Sequence, residues 1–197
     1  MEEYEVKYLD IDPAALEAKI YSLGGTKAFD RLFHRAVFDY PDLRLDQQAA
    51  WVRVRDEGDQ VTMAFKQRIG YDPADSATND AGMKEYEVVV SDFETACNIL
   101  RSIGLTDKFY IENRRVQFRL AGAEIDIEYW PMLQPYLEIE GASWAEVETT
   151  IAKLGLDPSI SKRYSTTQIY AQQGINDKDY QILAMDHQVK KAADSAK

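Results

Sequence analysis

The chain has 197 residues, 45% hydrophobic and 29% charged, a composition that suits one packed domain rather than a disordered or membrane-embedded polypeptide. Its 23 Lys and Arg against 34 Asp and Glu give a net charge of −11, which argues against a nucleic-acid partner but leaves room for a basic cluster that binds a small phosphorylated ligand. No secretory leader opens the sequence and no apolar run approaches the roughly 18 residues of a membrane span, so a cytoplasmic protein with no membrane partner is expected.

The opening MEEYEVKYLD places Glu3, Glu5 and Lys7 on one face of a strand, with Tyr4, Val6 and Tyr8 on the other. A helix follows in DPAALEAKIYSLGG, with Asp12 as N-cap, Pro13 in the first turn, a stripe of Leu16, Ile20 and Leu23, and a stop at Gly24-Gly25. LFHRAVF reads as a strand, in which His34 is structural. In WVRVR, Arg53 and Arg55 share a face with Trp51, and in VTMAFKQR, Lys66 and Arg68 share one opposite Met63 and Phe65. GYDPADSATNDAG, from Gly70 to Gly82, is rich in turn residues and reads as a mobile loop of a length that suits a lid.

KEYEVVV restores the acidic alternation with Glu85 and Glu87, and SDFETACNILRSIG repeats the helix design, capped by Ser91 or Asp92 and ended at Gly104. Cys97 stands alone among apolar neighbours, which reads as a buried core thiol and rules out an internal disulfide. RRVQFRLAGAEIDIEYW predicts a hairpin turning at Ala121-Gly122, in which Arg119 faces Glu124, Gln117 faces Asp126 and Arg115 faces Glu128. A bulge would exchange Arg115 for Arg114 on that face. YLEIEG sets Glu138 and Glu140 on one face, and a third helix runs from Ser143 to Gly155. Glu-x-Glu strand followed by helix therefore occurs three times, an imperfect internal repeat. A short helix is expected from Ser165 to Gln173, and 176–197, with His187, reads as a polar helix or tail beyond a domain of residues 1–175.

An antiparallel sheet usually turns its charged face to water. Here the same inversion recurs along the chain, with amphipathic helices available to cover the apolar face. A closed sheet resolves this: an α+β fold in which an eight-stranded antiparallel tunnel-like β-barrel has a charged lumen and its helices packed on the outside. Such a lumen needs balanced charge, and suits a polyanion that arrives with hard divalent cations held by carboxylates.

These residues resemble the CYTH superfamily of triphosphate tunnel metalloenzymes, which includes class IV adenylate cyclases, thiamine triphosphatases and inorganic triphosphatases. The resemblance rests on Glu3-x-Glu5-x-Lys7, Arg53-x-Arg55, Lys66, Glu85-x-Glu87, Arg115, Asp126 and Glu138-x-Glu140, in the family's order over about residues 1 to 156. It implies that Glu3, Glu5, Asp126, Glu138 and Glu140 bind Mg2+ or Mn2+, directly or through water. It implies that Lys7, Arg53, Arg55, Lys66 and Arg115 grip phosphates, with Glu5, Lys7, Arg55 and Lys66 closest to the chemistry and Glu85 and Glu87 in support. Arg68, Arg119, Glu124 and Glu128 follow only from parity, and line the barrel or its rim.

The expected activity is metal-dependent hydrolysis of a triphosphate-containing small molecule. A class IV adenylate cyclase, making cyclic AMP and pyrophosphate from ATP, is the alternative, and a non-catalytic polyphosphate-binding protein is a third. Trp51 would either stack on an organic ring or plug the barrel end. Exposed strand edges would suit a homodimer.

Overall fold

The computed structural model describes residues 4–70 and 83–191. Glu3 and nearly all of the Gly70 to Gly82 loop lie outside them. The chain is α+β, and its strands join in one sheet in the order β1-β8-β7-β6-β2-β3-β4-β5, where β1 is Tyr4–Tyr8, β2 Thr26–Asp39, β3 Ala50–Asp56, β4 Val61–Arg68, β5 Met83–Val90, β6 Thr106–Leu120, β7 Ala123–Tyr129 and β8 Tyr136–Gly141. Among the described residues that path ends at β1 and β5, with no hydrogen-bonded pairing between the two. The chain divides into two compact units, Met1–Leu32 with Asn113–Asp179 and Phe33–Glu112 with Tyr180–Lys197.

In the first unit the expected hairpin forms in the expected register, with Leu120 opposite Ala123 and Arg115 opposite Glu128. Its two turn residues, Ala121 and Gly122, have φ of 58° and 94°, the sign that a tight hairpin turn requires at both positions. The apolar faces of β1, β6, β7 and β8 pack on two helices: Val6, Phe118, Ile125 and Ile139 meet Leu16 and Ile20 of α1 (Pro13–Ser22) and Val147, Ile151 and Leu154 of α3 (Trp144–Leu154). Asp12 caps α1 by accepting from the Ala14 and Ala15 backbone N–H groups, and Ser143 caps α3. Leu23, expected on the buried stripe, is instead the exposed C-cap of α1. Gly25 is required where the chain leaves α1, because a Cβ there would lie 2.4 Å from Ile20 Cγ2.

The second unit repeats the layering. Ala36, Phe38 and Val54 of β2 and β3 pack on Ala96, Cys97 and Leu100 of α2 (Phe93–Ser102), whose N-cap is Asp92. Cys97 is buried there as expected, and burial pushes its thiol up to about 11.

Two further pieces complete the chain. Helix α4 (Thr166–Gln172) carries a capping box at Ser165, and Thr166 Oγ1 lies 3.2 Å from the hydroxyl of Tyr136. Residues 176–191 are not the polar helix or tail expected. They hold a hairpin of β9 (Tyr180–Leu183) and β10 (Gln188–Lys190), with β9 parallel to β6. The reason is burial: Leu183 and Ala184 are covered at 3% and 1% exposure, which a solvated tail would forgo.

Candidate functional site

Directly opposed residues of an antiparallel ladder share a face, so the register of the first unit groups its charges. One row is Glu5, Glu140, Glu124 and Arg119; the next is Lys7, Glu138, Asp126 and Gln117; a third is Tyr136, Glu128 and Arg115. One oxygen from each of Glu5, Glu138 and Glu140 lies within 4.8 Å of the others. Lys7 Nζ joins them, 2.5 Å from Glu5 and 3.1 Å from Glu138. Burial alone would lower the Lys7 pKa, but Glu138 and Glu5 outweigh it and hold the ammonium above its usual value.

Arg115 is gripped from β7. It meets Glu128 through Nε and Asp126 at 2.9 Å through Nη1, with Glu138 at 3.9 Å. Asn113 donates to the other Glu128 oxygen at 2.6 Å. Burial pushes the Asp126 carboxyl up to about 7; Arg115 opposes this, and Glu128 and Glu138 add to it. Asp126 Oδ1 is buried with no hydrogen-bond partner. Arg114, the alternative to Arg115, turns away to pair with Asp30 at 2.6 Å, so no bulge exchanges the two. Arg119 pairs with Glu124 at 3.1 Å and is 68% exposed, a rim pair.

The second unit holds the other bases. Lys66 lies opposite Trp51 on one side and Glu85 on the other, and Arg53 lies one row along, in line with Glu87. Arg53 Nη2 reaches Glu87 at 3.0 Å and Glu85 at 3.4 Å, and Lys66 reaches Glu85 at 3.1 Å. Burial first, then the charge of Arg55, lowers the Arg53 pKa, against the pull of Glu85 and Glu87. Arg55 pairs with Glu57 at 2.5 Å. Trp51 is half-buried, with the Arg68 guanidinium 6.0 Å from its ring centroid.

Two charged residues escaped the motif reading. Glu57 shares the parity of Arg53 and Arg55, and that parity was the available signal. Lys162 was hidden: an isolated bridge exchanges both backbone hydrogen bonds between Lys7 and Lys162, which puts Lys162 on the Lys7 face, and one bridge leaves no periodicity to read. Both histidines stay apart from these groups. His34 Nδ1 lies 2.6 Å from the Tyr110 hydroxyl, which donates to Glu112 at 2.7 Å, and His187 pairs with Asp186.

Residues 1–168 match the model of the CYTH domain. The chain belongs to the CYTH domain family. Solved structures share the CYTH fold at low identity. A candidate adenylate cyclase from Vibrio parahaemolyticus is 13% identical with a TM-score of 0.65, over 86% of this chain and 97% of that one. A conserved hypothetical protein from Pyrococcus furiosus is 16% identical with a TM-score of 0.62, over 85% and 99%. A candidate adenylyl cyclase from Hippeastrum, described as having a dominant triphosphatase activity, is 15% identical with a TM-score of 0.55, over 88% and 97%. No curated protein matches the chain. No helix among the described residues is long and apolar enough to cross a membrane.

Proposed function

We propose that this CYTH protein is a metal-dependent phosphohydrolase that acts on triphosphate-containing small molecules. The observation that carries this reading is the carboxylate group of Glu5, Glu138 and Glu140, with oxygens within 4.8 Å of one another. The Lys7 ammonium offsets part of the charge of these three carboxylates, and an all-oxygen donor set suits Mg2+ or Mn2+. Asp126, opposite Glu138 with one oxygen unpartnered, fits as a further ligand, direct or through water. Glu3 is assigned to the metal on the sequence motif alone.

The bound cation would neutralise phosphoryl charge and orient the nucleophile. The chain's own part is to bind and to stabilise. Lys7 and Arg115 in the first unit, and Arg53, Arg55 and Lys66 in the second, would hold phosphoryl oxygens and the charge that builds on the leaving phosphate. Glu85 and Glu87 fix Arg53 and Lys66 before substrate arrives. Among these, Glu5, Lys7, Arg55 and Lys66 are the residues whose loss should cost most turnover.

Class IV adenylate cyclase is the second reading, favoured by one observation: the half-buried indole of Trp51 lies directly opposite Lys66, where a base could stack beside a gripped phosphate. A product assay separates the readings. The purified protein is given tripolyphosphate, thiamine triphosphate and ATP, each with Mg2+ and with Mn2+, and phosphate, pyrophosphate and cyclic AMP are followed. Metal-dependent phosphate release supports hydrolysis, whereas cyclic AMP with equimolar pyrophosphate makes the protein a cyclase. Tight binding with no product under any metal leaves a non-catalytic polyphosphate binder.

A further inference from the structure

Arg115 differs from Arg114 and Arg119, its neighbours on β6, in what stands behind it. Those two pair with Asp30 and Glu124, carboxylates partly open to solvent, for which water can substitute. Arg115 is 23% exposed, while the Glu128 and Asp126 side chains that grip it are 1% and 2% exposed. An accessible guanidinium is thus backed by sealed acids.

Burying a carboxylate this completely is costly, and a buried ion pair is often no more stable than two apolar side chains of the same volume. What the charges supply here is direction. Glu128 binds Nε of Arg115, and Asp126 lies 2.9 Å from Nη1, so contacts on two nitrogens of a planar fork fix its plane as well as its place. The third nitrogen, Nη2, lies 3.9 Å from Glu138, on the side of the carboxylate group. Glu128 is itself held. Asn113, two residues before Arg115 and so on the same face of β6, is fully buried and donates from Nδ2 to the second Glu128 oxygen at 2.6 Å. Tyr136, directly opposite Glu128 on β8, is buried too and turns its hydroxyl to Thr166.

We infer that Asn113 and Glu128 are positioning residues: Asn113 orients Glu128, and Glu128 orients the Arg115 guanidinium ahead of the reaction. The inference rests on the phosphohydrolase reading, in which Arg115 meets charge that builds in the transition state. A loosely held guanidinium can still attract a bound anion, but only one fixed in advance stabilises developing charge without reorganising. The pair therefore acts on turnover more than on affinity.

The test compares Glu128→Gln, Asn113→Asp and the double variant with the wild type in steady-state kinetics on tripolyphosphate, thiamine triphosphate and ATP, with Mg2+ and with Mn2+. Both substitutions preserve side-chain shape, and the double variant preserves net charge. In Glu128→Gln, kcat should fall about 100-fold, the cost of misplacing a group by about 1 Å, with KM changed far less. Asn113→Asp sets two carboxylates against each other and should also lower kcat. Adding Glu128→Gln to it should then raise kcat, because the new amide can donate to the new carboxylate and still accept from Arg115 Nε. A merely structural pair would lower the unfolding midpoint and leave kcat per folded molecule unchanged, which overturns the inference. A loss carried by KM alone overturns it as well. Exchange of the Arg115 Nε–H with solvent, followed by NMR and assigned by its loss in Arg115→Lys, needs no activity. It should be slow in the wild type and about tenfold faster in Glu128→Gln, the worth of one hydrogen bond to a charged group; fast exchange in the wild type overturns the hold of Glu128. Wild-type turnover with kcat unchanged in Glu128→Gln overturns the positioning role alone, whereas no turnover of any of the three substrates by the wild type overturns both readings.

Discussion

Lys7 stands between Glu5 and Glu138 at 2.5 and 3.1 Å, so the carboxylate group is partly neutralised before any cation arrives. Glu5→Gln keeps the shape of the side chain and removes one oxygen anion. Its metal-dependent turnover should fall by more than about 100-fold, since even groups that only support metal ligands cost 10–100-fold. Its unfolding midpoint in chelator should hold or rise, and undiminished turnover would remove Glu5 from the metal site. Lys162 exchanges both backbone hydrogen bonds with Lys7 and so stands at the register position beside it. Lys162→Ala should raise KM for tripolyphosphate several-fold and shift stability by less than about 0.5 kcal/mol, the usual range for a surface substitution. Cys97 gives the contrasting case. With its pKa raised by burial to about 11, the thiol stays protonated at pH 8 and contributes stability that is lost only as pH rises from about 9 through about 11. Alkylation by iodoacetamide at pH 8 should therefore track unfolding in urea; fast labelling of the native protein would contradict its burial.

Period-two alternation made the strands legible, and the β6–β7 hairpin shows how far it reaches: knowing that Ala121-Gly122 turns was enough to pair Arg115 with Glu128 and Arg119 with Glu124. The turn also holds a weakness. Ala121 has a φ of 58°, a conformation that costs an L-residue roughly 1–2 kcal/mol and that Asn tolerates better. Ala121→Asn should raise stability in urea by about 0.5–1 kcal/mol without altering turnover. What alternation could not reveal are contacts made outside long strands. The bridge at Lys162 joins one residue to one residue, and β9 pairs with β6 only through Ile182 and Leu183, too short a run to show a period.

The chain as a whole carries a net charge of −11, and its carboxylates outnumber its bases. A protein of this balance should be stabilised by divalent cations wherever acids converge. Saturating Mn2+ should stabilise the wild type by about 2.7 kcal/mol at 100 times Kd, seen as a raised unfolding midpoint, and should raise the midpoint of Glu138→Gln and Glu140→Gln much less. An equal rise in all three, followed by differential scanning fluorimetry, would place the cation elsewhere.

Each unit is built from separated stretches of chain: the first ends its opening segment at Leu32 and resumes at Asn113, while the second resumes at Tyr180. Among the described residues, strand β1, which brings Glu5 and Lys7, pairs along its length with β8, from Tyr136 to Gly141, and otherwise through the single bridge from Lys7 to Lys162. During synthesis β1 must therefore wait, unpaired, until well over a hundred further residues have left the ribosome. Glu5 and Glu140 cannot meet before then. The nascent chain can thus assemble the ion-paired face of β3, β4 and β5, whose partners are local, long before Glu5, Glu138 and Glu140 gather. Translation order would then make cation capture one of the last events in the birth of the molecule, and a stall after β5 would leave Glu5 without the Glu138 and Glu140 it needs to hold a metal.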